Sequence, residues 1–197
     1  MQHIPFVDTI KNAIPIHLVH ESSFKEWIKG QSDFFTQWFK SNNFMARHGD
    51  ICLVPGQDGN LEKIIVGFSK SDFWLGGGIP RKVPTGSYYL DTIFALNENI
   101  DYIKFKENFC ISWCLGSYSF IGYKTKSSEN ISKLFCPQEI DKKYILKLVE
   151  SIFITRDLIN TPTEDLSPLK LADYSENIAK KYNAEFRVIK GQDLIKN

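Results

Sequence analysis

The chain has 197 residues, enough to bury a substantial core without disulfide staples. It is 43% hydrophobic and 14% aromatic, the composition of a packed globular protein and not of a disordered one. Its 24 basic and 23 acidic residues leave a net charge of +1, so no bulk electrostatic pull toward nucleic acid or an anionic membrane exists.

The first twenty residues include Asp8, Lys11 and three histidines, and they lack the apolar run of a signal peptide. No stretch has the length and apolarity of a membrane span. A cytoplasmic protein is expected. Ile14 to Val19 reads as a first strand. Ser23-Phe24-Lys25-Glu26 has the form of a capping box, predicting a helix whose Phe24, Trp27 and Ile28 share a face and which stops at Gly30. A second helix is expected from Ser32 or Asp33, with Phe35, Trp38 and Phe39 as its apolar stripe. Ile51–Val54 and Leu61–Phe68 read as paired strands around a turn containing Asp58-Gly59. Trp74–Pro80 is irregular or a short helix broken by glycines, and Ser87–Ile93 is a further strand.

The segment from Glu107 to Phe120 is apolar nearly all round, which predicts a helix buried on several sides. Gly116 and Ser117 would let a neighbouring backbone come close. A short strand is expected at Ser132–Phe135. After Pro137 comes a long helix with Ile140, Tyr144, Ile145, Leu148, Val149 and Ile152 on one stripe, stopped by Pro162. Ser167-Pro168 opens another helix, lined by Leu171, Ile178, Ala179 and Tyr182. Glu185–Ile189 reads as a strand, and Gly191–Leu194 as the start of a helix. Strands alternate with helices, so the class is α/β.

The candidate chemistry is sparse. Cys52, Cys110, Cys114 and Cys136 form no Cys-x-x-Cys pair; Cys110 and Cys114 are one helical turn apart, but the residues of a zinc site do not accompany them. Small core thiols of a reducing compartment are the simpler reading. His17 and His20 are three apart on a strand, so they should point to opposite faces and not share a metal. Gly76-Gly77-Gly78 lacks the spacing of a P-loop or a dinucleotide fingerprint. Glu164-Asp165 precedes a helix, where carboxylates commonly favour the positive helix end. Arg156-Asp157 suits an ion pair more than a binding pair. Ser119 has no Gly-x-Ser-x-Gly elbow around it. Lysines alternate with aromatics at Tyr102–Phe109 and Tyr123–Lys126, a pattern of surface lysines beside core rings more than of a base-stacking platform.

A family resemblance adds what these residues do not. Arg156-Asp157-Leu158-Ile159-Asn160-Thr161-Pro162 is similar to the segment opening the catalytic domain of leucyl aminopeptidases. Leu166–Ala172 and Ala184–Leu194 follow it in that family's order. Earlier, Ile79–Leu90 and Trp113–Phe120, followed by Tyr123-Lys124, resemble the N-terminal domain of a bacterial branch of the same family.

The resemblance implies a mixed sheet between helices, macro-domain-like, over residues 1–137. It implies the connecting helix and the start of an incomplete catalytic domain over 138–197. It further implies hexameric enzymes that remove N-terminal residues from peptides with two divalent metals, zinc or manganese. The family's metal segments, Gly-Lys-Gly…Phe-Asp-Ser-Gly-Gly and Asn-Thr-Asp-Ala-Glu-Gly-Arg, do not occur here. No catalytic, cofactor-binding or metal residue is therefore assigned to this chain, and it is expected to be inactive alone. The rival expectations are a stand-alone binding or regulatory module with a macro-like fold, and an independent enzyme with an unrecognised site.

Overall fold

A computed structural model describes residues 4–70, 72–123 and 131–196. The lysines expected to alternate with aromatics at positions 124 and 126 lie outside these residues. Two compact units divide between Phe153 and Ile154.

The first unit is built on a six-stranded sheet: β1 (Phe6–Val7), β2 (Ile14–His20), β3 (Ile51–Pro55), β4 (Leu61–Phe68), β5 (Ser87–Phe94) and β6 (Lys133–Phe135). The spatial order is β1-β6-β5-β2-β4-β3. All neighbours are parallel except β3 and β4, which form the expected hairpin with Gly59 at φ 80° in its turn. The two-residue β1 is too short to carry an alternation signal, and the sequence did not announce it.

Both faces of the sheet are covered, as a mostly parallel sheet requires. Successive side chains of β2 and β4 alternate between two cores. Ile16, Leu18, Ile64, Val66 and Phe68 face the helices α3 (Tyr102–Gly116) and α4 (Lys142–Asn160). Val19 and Ile65 face α1 (Phe24–Lys29) and α2 (Asp33–Ser41), meeting Phe24, Phe39 and Phe44. This is the mixed sheet between helices that the family resemblance implied.

Three local expectations change. The capping box does not form: the Ser23 side chain makes no bond to α1. Its Oγ instead accepts the Leu96 N–H at 2.7 Å, because a short 3-10 turn at Glu21–Ser23 has already turned Ser23 toward the loop after β5. The apolar helix α3 begins at Tyr102, not Glu107, where Asp101 caps the Lys104 N–H at 3.0 Å. Its first turn is solvated, which hid it from a search for apolar periodicity. It ends at Gly116, not Phe120, with the Arg81 guanidinium donating to the Gly116 and Tyr118 carbonyls. In α4 the stripe is carried by Ile145, Val149 and Phe153, with Leu148 and Ile152 beside it. Ile140 is buried in the turn before the helix, and Tyr144 lies at the rim, 49% exposed.

The glycine run at 76–78 has a packing explanation. Leu75–Gly78 forms a 3-10 turn laid against α3. A Cβ at Gly76 would stand 2.4 Å from the Phe109 carbonyl oxygen, and one at Gly116 would stand 2.0 Å from that of Gly77. The close backbone approach expected at Gly116 is thus made by the glycine run.

The second unit holds the end of α4, then α5 (Pro168–Lys181) and α6 (Asp193–Lys196). Ser167 caps α5, accepting the Lys170 N–H at 3.4 Å, as expected. The strand expected at Glu185–Ile189 is absent. These residues are exposed and have no ladder partner among the described residues, and a strand exists only through its neighbours.

Candidate functional site

In open parallel sheets, ligands bind beyond the carboxyl ends of the strands, where the direction of winding reverses. Here β2 is central, with β4 on one side and β5 on the other. His20 closes β2 and is 7% exposed. Its Nδ1 lies 2.8 Å from Ser22 Oγ and 3.4 Å from Glu98 Oε1, while Ser22 Oγ donates to Glu98 Oε1 at 3.0 Å. Serine, histidine and carboxylate are together, yet not as a relay. A catalytic triad uses both ring nitrogens, one toward the serine and one toward the acid. In this cluster both partners meet the same nitrogen, and the serine proton goes to the carboxylate. With the Ser23–Leu96 bond, the cluster stitches the loop after β2 to the loop after β5.

His17 has a different partner. Its Nδ1 is 3.4 Å from Asp91 Oδ2, which also accepts from Thr92 Oγ1 at 2.8 Å. Burial lowers the His17 pKa, the Asp91 charge opposes this, and Lys63 adds to the lowering. The two histidines thus serve separate pairs.

Asp91 is the extra residue of a bulge in β5: Leu90 pairs with Ile16, and Thr92 already pairs with His17. Beyond Tyr89, β5 is no longer paired with β6. A cleft of about 580 Å³ opens there, lined by residues including Asp8, Tyr89, Asp91, Lys106 and Glu139. Its charges are committed to one another or to neighbours: Lys106 binds Glu139 at 2.6 Å, Lys142 binds Asp8 at 2.6 Å, and His17 faces Asp91.

A third pair, His48 and Asp72, went unnoticed in the sequence because its members are 24 positions apart with no motif between. His48 Nε2 is 3.0 Å from Asp72 Oδ2, and its Nδ1 accepts the Ser69 N–H at 3.4 Å. The Trp74 N–H bound to Asp72 lowers the carboxyl pKa, and His48 adds to this. Both ring nitrogens are occupied by structural bonds, so the imidazole has no nitrogen left for a substrate proton.

All four cysteines are free thiols and buried. The Cys110 thiol donates to Cys136, which raises Cys110 and lowers Cys136, while burial raises Cys114 and Cys52. Ser119 is buried just after α3. Arg156 and Asp157 lie in the last turns of α4, and Glu164 and Asp165 lie in the exposed turn before α5. Among the described residues no group of three or more His, Cys, Asp or Glu is placed to hold a metal ion. None of their helices is long and apolar enough to cross a membrane.

Residues 14–137 match the family described as M17 aminopeptidase, N-terminal domain. The chain belongs to the M17 aminopeptidase family. It is 26% identical over 172 residues to a probable cytosol aminopeptidase of Corynebacterium glutamicum, a match covering 83% of this chain and 34% of that protein. The crystal structure of the cytosol aminopeptidase from Coxiella burnetii superposes with a TM-score of 0.84 at 31% identity, over 96% of this chain and 40% of the other. The bottromycin maturation enzyme BotP, in complex with Mn, shares the fold at 18% identity and a TM-score of 0.71. The chain therefore spans little more than a third of the sequence relative and two-fifths of the solved one. It corresponds to the N-terminal part of a cytosol aminopeptidase.

Proposed function

We propose that this chain is the N-terminal portion of a leucyl-aminopeptidase-type exopeptidase, which removes N-terminal residues from peptides, and that alone it is inactive. The observation that supports this reading is the superposition on the Coxiella burnetii enzyme, continuous over nearly the whole of this chain. Such an enzyme would use two divalent ions, zinc or manganese, to polarise the scissile carbonyl and activate water. The residues of this chain do not fit that task. A metal pair needs several converging carboxylates; among the described residues no group of three or more His, Cys, Asp or Glu converges, and Asp91, Glu98, Asp72, Glu139 and Asp8 are paired with His17, His20, His48, Lys106 and Lys142.

What the chain contributes is the N-terminal domain and the helix α4 that follows it. The complete enzyme would act in the cytoplasm, consistent with four unpaired thiols, and would assemble as a hexamer. Calorimetric titration of the purified chain with Mn²⁺ or Zn²⁺ tests this reading. No stoichiometric binding of two ions is expected; tight binding of a pair would overturn it.

A further inference from the structure

The edge of β5 that faces β6 is covered for less than half its length. β5 has eight residues and β6 has three, and their pairing stops where Tyr89 meets Phe135. On its other edge β5 stays paired with β2 as far as Phe94. Among the described residues no strand pairs with the β6-side edge from Leu90 to Phe94.

β6 stops for a local reason. Pro137 has no N–H to extend a ladder, and the chain turns toward α4, with the Ile140 N–H donating to the Pro137 carbonyl at 3.1 Å. β1 ends at the same level, since Val7 pairs with Phe135. Neighbouring strands lie about 4.8 Å apart, so β1 and β5, on either side of β6, are separated by about 10 Å. Beyond Phe135 this interval becomes the cleft of about 580 Å³, with Leu90 and Asp91 on one side and Asp8, Thr9 and Ile10 on the other. The slot is one strand wide, and the free edge from Leu90 to Phe94 runs for about 16 Å. Such an edge is a template for pairing with another chain.

The charges at the slot select what pairs there. Lys106 neutralises Glu139, and Lys142 neutralises Asp8. The carboxylate left over is Asp91, which the bulge sets at the rim with its side chain 40% exposed. Its partner His17 carries no charge at neutral pH, because burial holds the imidazole below its ordinary 6.5. Lys63 adds to that lowering and is itself paired with Glu62 at 3.4 Å.

We propose that the slot binds an extended cationic peptide, which adds to the free edge of β5 where β6 leaves off and sets a Lys or Arg side chain on Asp91. Main-chain bonds to β5 supply the affinity, and the ion pair with Asp91 supplies the preference for a basic residue. Four or five extended residues fill the length of the edge.

The test titrates the full chain with the peptide acetyl-Lys-Val-Lys-Val-Lys-amide. One-to-one binding is expected, with amide exchange between Asp91 and Phe94 slowed at least about tenfold. The same peptide methylated on every backbone nitrogen should bind about tenfold more weakly or not at all, because its ladder donors are gone. Acetyl-Glu-Val-Glu-Val-Glu-amide should bind more weakly than the lysine peptide. Asp91→Asn should weaken the lysine peptide up to about fivefold. The peptide comparisons use the unaltered chain, so they decide the matter even if the variant does not fold. Absence of binding by the lysine peptide overturns the proposal, as does equal binding by the methylated peptide or protection that falls elsewhere. Protection of Asp91–Phe94 that grows with the concentration of the chain alone also overturns it, since the occupant is then a second copy.

Discussion

Replacing Gly116 with alanine tests whether backbone contact between α3 and the Leu75–Gly78 turn organises the first unit. The added Cβ would lie 2.0 Å from the Gly77 carbonyl oxygen and 2.7 Å from its carbonyl carbon and Cα. Ordinary contact begins near 3.4 Å, so the two backbones must separate by more than an ångström. Every atom in the way is main chain, and no rotamer change relieves it. Helix propensity favours alanine by up to about 1 kcal/mol, less at the last helical position. Overpacking of a tight core costs about 1–3 kcal/mol, and a backbone clash belongs at the upper end. The net expectation is about 2–3 kcal/mol of destabilisation, or roughly 4–12 °C in Tm for a chain of this size. Gly78→Ala is the matched control, because a Cβ there meets nothing within 4 Å. Urea and thermal unfolding of both variants give the answer. If Gly116→Ala is no less stable than Gly78→Ala, the close-packing argument is wrong.

Two further outcomes follow from buried polar groups. Ser23→Ala should cost about 1–2 kcal/mol by orphaning the Leu96 N–H, and exchange at Leu96 should quicken while α1 keeps its helicity, since Ser23 does not cap it. Tyr88 is fully buried, its hydroxyl donating to the Pro84 carbonyl, and burial pushes its pKa from 10 up to about 12. The neutral phenol is the form the fold retains. Its contribution is therefore complete below pH 10 and is lost as the pH rises through 12, by up to about 3 kcal/mol. The difference between wild-type and Tyr88→Phe stability curves over pH 9–12 isolates this loss; a pH-independent difference would contradict it.

Much of the fold was legible because its signals are local. The strands from Ile14, Ile51, Leu61 and Ser87, the Asp58-Gly59 hairpin, and the Ser32 and Ser167 caps each depend on a few adjacent residues. What was misread depends on distant partners. Ser23 has the spacing of a capping box, but the Leu96 N–H, 73 positions away, claims its hydroxyl. Glu185–Ile189 has strand composition but no neighbour to pair with. The same holds for the polar pairs. His48 and Asp72, His17 and Asp91, and His20 and Glu98 are brought together by the crossovers of the sheet and leave no motif. The glycine run, expected to be irregular or a short broken helix, proved to be one half of a helix contact whose other half, Gly116, the sequence had flagged for close backbone approach.

An N-terminal aminopeptidase portion without its own metal chemistry should not turn over substrate by itself. The direct measurement is leucyl-anilide hydrolysis by highly purified chain with added manganese or zinc. The expected result is no turnover that tracks the protein through successive columns. Metal-dependent turnover that co-purifies with the chain, and that disappears on replacing Asp72 or Asp91, would contradict the claim.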